Sequence, residues 1–221
     1  MIRGKSVPPR WSIVTLEGHR SFEASQLVTP SIPRSGLATL FAGLLPNRSH
    51  NEDLLNVLNT LPSVGSDSQP TISIFASDPF IGGKRIAQRL LGKGCKRIVN
   101  WPTTAQFGME FCAALDSVNL GPQQEYKTMM RLASEGLSIS LTVCMPEAAS
   151  ELPRLNPDIV FLAPTFELWT NGKLRVDELL GRCAALARKI QGEVPIVLMS
   201  AGRGISLDRA RNAGAHALLV T

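Results

Sequence analysis

With 44% hydrophobic and 19% charged residues, the 221-residue chain can bury a large core, which excludes global disorder. Its net charge of +5 leans toward anionic partners, but the basic residues are scattered. One Tyr, three Trp and eight Phe give no aromatic platform interleaved with them, so nucleic acid is not an expected partner.

Short apolar runs alternate with amphipathic ones along the chain. Strands are expected at 11–17, 25–30, 71–77, 96–101, 137–143, 158–164, 195–201 and 216–220. Their Val/Ile/Leu content suits strands buried on both faces of a parallel sheet. Helical stripes fall at 51–61, 83–94, 125–136, 175–192 and 206–214, most of them ended by glycine, and Ser206 suits an N-cap. Eight strands alternating with helices predict a single domain over 1–221, a (β/α)8 TIM barrel, with a flavodoxin-like open sheet as the competing arrangement. Two features depart from the regular pattern. The crossover between the first two strands is too short for a full helix, and no eighth helix follows the last strand. A flank left uncovered in this way predicts a homo-oligomer.

The four cysteines, Cys95, Cys112, Cys144 and Cys183, have no CxxC spacing and no paired histidines, so zinc is not expected. Three lie in apolar or amphipathic runs, as small hydrophobes in a reducing compartment would. No apolar run reaches a membrane span, and residues 1–11 lack the apolar segment of a leader. A cytoplasmic protein without a membrane partner is the expectation.

In such a barrel all strand C-termini meet on one face, where the chemistry sits. The predicted ends are polar. Asp78, in "SDPF", is a candidate metal ligand or base, or alternatively a helix N-cap ahead of Pro79. Asn100 ends an apolar strand and needs partners, either a ligand or a loop-closing hydrogen bond. The segment "SAGRG" offers Ser200, Gly202 and Arg203 as an anion nest with a fixed positive charge. His19 and His50 read first as loop and capping residues. Glu167 is a further carboxylate at a strand end, with Trp169 beside it as a pocket wall or loop anchor.

Three segments, "RSGLATLFAGLLPNRSHN" (34–51), "ASDPF" (76–80) and "IVNWPTTAQFGMEFCAALD" (98–116), together resemble the phosphoenolpyruvate hydrolase-like TIM-barrel proteins. These are relatives of the phosphoenolpyruvate mutase and isocitrate lyase superfamily and of the C-terminal domain of Tm-1-like proteins. The resemblance implies a lyase or hydrolase acting on a small anionic carboxylate or enol acid. It makes Asp78 and Asp116 the acid–base or metal-binding carboxylates, with Mg2+ as the metal, and Asn100, Thr103 and Arg203 the substrate contacts. No organic cofactor is implied. Departures from the family pattern include Cys112 and Ala114 in place of polar residues, "LAPTFELWTNG" after the sixth strand and "AGRGI" after the seventh. They leave two other readings: a metal-free enzyme with an apolar pocket lined by Cys112, Ala114, Phe166 and Trp169, or an inactive barrel serving as an interaction module.

Overall fold

The computed structural model describes residues 8, 10–15, 23–29, 50–60, 64, 69–170, 173–200 and 204–220. Eight parallel strands close into a barrel: β1 (Arg10–Thr15), β2 (Gln26–Thr29), β3 (Thr71–Ile74), β4 (Arg97–Asn100), β5 (Ser138–Val143), β6 (Val160–Leu162), β7 (Ile196–Ser200) and β8 (Ala217–Val220). Each strand pairs with its neighbours in chain order, and β8 closes on β1 through Trp11 opposite Leu219. All eight expected strands are present, with bounds that differ from the expected ones by a few residues at one end or the other. The closed circuit rules out the open-sheet alternative.

Seven α-helices are described: α1 (His50–Thr60), α2 (Gly83–Gly92), α3 (Met109–Ser117), α4 (Pro122–Ser134), α5 (Leu152–Leu155), α6 (Val176–Ile190) and α7 (Leu207–Asn212). Ser206 caps α7 by accepting from Arg209 N. Helix α4 begins at Pro122 rather than 125, since proline suits the first turn of a helix. The short helix α3 and a hairpin of Trp169–Thr170 with Lys173–Leu174 are additions to the elements expected from the sequence.

Strand alternation divides the core in two. Outward residues such as Ile72, Ile98, Leu141, Leu162 and Leu198 pack under the helices. Inward ones, including Trp11, Leu27, Val99, Phe161, Val197, Met199 and Leu219, fill the barrel, with the Trp11 and Phe161 rings edge to face at 5.2 Å. Strands β3 and β5 do not follow the all-aliphatic expectation. Thr71 and Ser73 alternate with Ile72 and Ile74, and Ser140 and Thr142 with Ile139, Leu141 and Val143. The hydroxyls of Thr71, Ser73, Ser140 and Thr142, and that of Thr29 on β2, are buried without a hydrogen-bond partner among the described residues. The β2–β5 side of the barrel interior is therefore mixed, with these hydroxyls beside Leu27 and Val99, and the β6–β8 side is apolar. No described helix is long and apolar enough to cross a membrane. A groove of about 570 Å³ on the β8–β1 flank is bordered by Arg10, Ser12, Ile205, Leu207, Leu218 and Val220.

Candidate active site at the barrel mouth

The polar ends of β3 and β4 converge on a residue that sequence reasoning treats only as the start of a helix. Glu125 lies in the first turn of α4 and is fully buried. Its Oε1 accepts from Ser77 Oγ (2.7 Å), Thr104 N (2.7 Å) and Thr104 Oγ1 (2.8 Å). Its Oε2 accepts from Asn100 Nδ2 (2.8 Å) and Thr103 Oγ1 (2.6 Å). Among the described residues no cation pairs with it, so its charge is balanced by five donors and by the α4 N-terminus. Asn100 serves two strands at once: its Oδ1 accepts from Thr142 N (2.6 Å) while Nδ2 also donates to Thr142 O (3.3 Å). Of the two roles open to Asn100, the structure displays the loop-closing one, and Thr103 is engaged in the same way.

Asp78 sits beside this network on the rim. Its Oδ1 accepts from Phe80 N (2.9 Å) and its Oδ2 from Asn51 Nδ2 (2.9 Å). Asn51, buried at the start of α1, also donates to Phe75 O and accepts from Phe75 N. Asp78 is not the N-cap of α2; that position belongs to Gly82, and Asp78 instead closes an Asx-type turn. It remains partly exposed and borders a crevice of about 130 Å³ with Glu52, Phe80 and Arg85.

From the end of α3, Asp116 Oδ1 accepts from Gln123 N (3.0 Å), capping α4. A Cβ added to Gly121 would clash with this carboxylate, so the cap needs glycine there. Asp78 and Asp116 have no hydrogen-bond partner in common, and among the described residues no three His, Cys, Asp or Glu side chains converge as metal ligands. Ser200 is buried at the end of β7. Gly202, Arg203 and His19 lie outside the described residues, and of His50 only the backbone, at the start of α1, is described.

The wall of the mouth is apolar. Trp101 and Cys144 belong to the interior cluster, and Ala105, Met145, Phe166 and Trp169 pack against it from the loops after β4, β5 and β6. Phe107 bridges these loops, with ring centroids 5.1 Å from Phe166 and 4.9 Å from Phe111. Two buried polar atoms in the same loops, Gln106 Oε1 and Trp169 Nε1, have no partner among the described residues. Arg182 of α6 binds the β5 and β6 ends together: its Nη1 donates to Thr165 Oγ1 (3.0 Å), Met145 Sδ (2.8 Å) and Cys144 O (3.4 Å). Its Nη2 pairs with Glu178 at 3.0 Å. Glu167 is exposed, and its Oε1 packs against Gly108, whose φ of 88° favours glycine. None of the four cysteines is in a disulfide. Burial, helped by Asp116, Glu125 and Glu167, pushes the Cys112 thiol up to about 11, and burial pushes that of Cys144 well above its ordinary value. Neither is poised as a thiolate nucleophile.

Sequence reasoning missed Glu125, yet the signal was present. Thr128, Met129 and Leu132 are the buried stripe of α4, and Glu125 falls on it. A carboxylate at that position must find donors inside the fold.

No family model matches the chain. A stretch of 95 residues, 43% of the chain, is 34% identical to the uncharacterized protein y4oT of Sinorhizobium fredii, and the match spans 47% of that relative, less than half its length. Among solved structures, tryptophan synthase subunit alpha from Legionella pneumophila matches with a TM-score of 0.58 and 12% identity. The match covers 96% of this chain and 79% of that one. The native KDPGal structure matches with a TM-score of 0.51 and 9% identity, over 98% of this chain and 84% of that one. At such identities the likeness establishes the fold.

Proposed function

We propose that the protein is a barrel enzyme acting at the C-terminal mouth on a small organic acid. The substrate's apolar body would lie against Trp101, Met145, Phe166 and Trp169. The observation that carries this reading is the continuity of the barrel's interior apolar cluster into the mouth through those side chains. Ligand pockets combine such a lining with a few placed polar groups, and the unpartnered Gln106 Oε1 and Trp169 Nε1 supply two. The motif order resembling the phosphoenolpyruvate hydrolase-like proteins supports a carboxylate or enol-acid substrate and lyase or hydrolase chemistry. Asp78 is the rim carboxylate held by two donors yet still partly exposed, which suits a base taking a proton from the substrate or from water. Arg203, with Ser200 and Gly202, would clamp the acid group from the β7 side. Asn100, Thr103 and Asp116 are assigned to the scaffold, and no step is routed through a metal. Self-association through the β8–β1 groove belongs to the same proposal, and a monomer in size-exclusion chromatography at micromolar concentration would remove it.

Thermal shift with acids of graded side chain tests the reading. Phenylpyruvate should raise Tm more than oxalate, without Mg2+, and Trp169→Ala should remove the difference while Arg203→Ala removes both shifts. A shift that requires Mg2+ and is lost in Asp78→Ala would restore the metal-dependent mechanism. A second reading has one observation in its favour: α3 buries none of its residues, and Met109 and Phe111 on it and Val118 at its end are exposed. If no acid binds, an interaction module presenting that surface becomes the better account.

A further inference from the structure

We infer that Glu125 is a positioning residue of the mouth, acting through the charge of its carboxylate rather than through its volume. The inference rests on the proposed function for its purpose but not for its geometry. The two oxygens hold residues on both sides of Trp101: Asn100 before it, Thr103 and Thr104 after it. Trp101 is 4% exposed and forms part of the mouth wall, and its own backbone N–H is tied to Val99 O (3.0 Å). The indole is thus carried on a segment whose flanks are fastened to one carboxylate. Ser77 fastens the β3 loop to the same group, one residue before Asp78. A single buried side chain thereby sets the spacing between the proposed base and the proposed wall.

The chemistry of the five partners gives the carboxylate its special status. Two of them, Thr104 N and Asn100 Nδ2, can only donate, so at least one donor on each oxygen cannot be reversed. A glutamine at 125 keeps the volume but turns one acceptor oxygen into an NH2 group facing a donor. The amide oxygen belongs at the Oε1 position, where three donors meet it, so the mismatch falls on Asn100 Nδ2. The substitution Asn100→Asp converts that opposing donor into an acceptor and should relieve it, still accepting from Thr142 N while giving up only the longer bond to Thr142 O.

Amide hydrogen exchange on the full chain tests this without a substrate. In Glu125→Gln, exchange at Ser77, Asn100, Trp101, Thr103 and Thr104 should accelerate about tenfold or more, the effect of one unsatisfied buried donor. Amides of β6, β7 and β8 should change by less than about twofold, since opening is local. The double variant Glu125→Gln/Asn100→Asp should recover much of the protection at Asn100 and Trp101, which a role in packing alone would not produce. Should Glu125→Gln not fold, Thr104→Val removes one hydroxyl donor at equal shape and should still raise exchange at Thr103 and Thr104 about threefold. Unchanged loop exchange in either variant, uniform acceleration around the barrel, or no recovery in the double variant would overturn the assignment. Failure of acids to bind the wild-type protein would count against the proposed function alone.

Discussion

Glu125 and Arg182 close neighbouring corners of one rim by opposite means. The carboxylate is fully buried, faces no cation among the described residues, and is satisfied by five donors from the β3 and β4 loops. The guanidinium reaches the β5 and β6 loops with one arm and a half-exposed Glu178 with the other, and its side chain keeps 12% exposure. A charge neutralised only by fixed dipoles tolerates no loss of partners, because water cannot replace them. A charge with an edge to solvent tolerates more. The β3–β4 corner should therefore be the stiff part of the mouth and the β5–β6 corner the more forgiving one.

Truncation at the two corners should separate them most. Glu125→Ala leaves five buried donors unpaired and should cost about 4 kcal/mol or more in urea denaturation, enough to threaten folding. Arg182→Ala leaves Thr165 Oγ1 and two weaker acceptors and should cost roughly 1–2 kcal/mol in the same assay. Equal losses would erase the contrast. A smaller effect of opposite sign is expected inside the barrel. Ser140 and Thr142 bury hydroxyls without partners, so Ser140→Ala or Thr142→Val should be neutral or stabilise by up to about 1 kcal/mol. A loss beyond about 1 kcal/mol would mean that those hydroxyls are engaged after all.

A pH dependence is expected as well. Burial raises the thiols of Cys95, Cys112 and Cys183 from 9.0 to about 11. Between these values the unfolded chain loses thiol protons that the folded chain retains, so stability should fall as pH rises from 9 toward 11. Replacing Cys183 with Ala should flatten part of that fall, read from denaturation midpoints across the range.

The barrel was legible because its signal is periodic: each β-rich run and each leucine stripe reports its own burial locally. Asn100 was legible in part, since an amide closing an apolar strand demands partners, but its partners lie on β5 and α4. Glu125 was hidden because a glutamate in a helix's first turn is ordinarily a solvated, dipole-favourable residue. Only the closed barrel brings four rim side chains over it. The roles expected of Asp78 and Asp116 followed from the resemblance, whereas their hydrogen bonds could not be read from it. Asp78 closes a turn on Phe80 N and accepts from Asn51, and Asp116 caps α4. Polar alternation on β3 and β5 was visible in "TISI" and "SISLTV", but the aliphatic half of each pattern dominates the expectation.

The most direct test of the account is a crystal structure of the protein grown with phenylpyruvate. The account predicts the phenyl ring against Trp101, Phe166 and Trp169, the carboxylate toward Arg203, and Asp78 on the rim beside the reacting carbon. A ring seated outside the mouth, or a mouth left empty at saturating ligand, would contradict it.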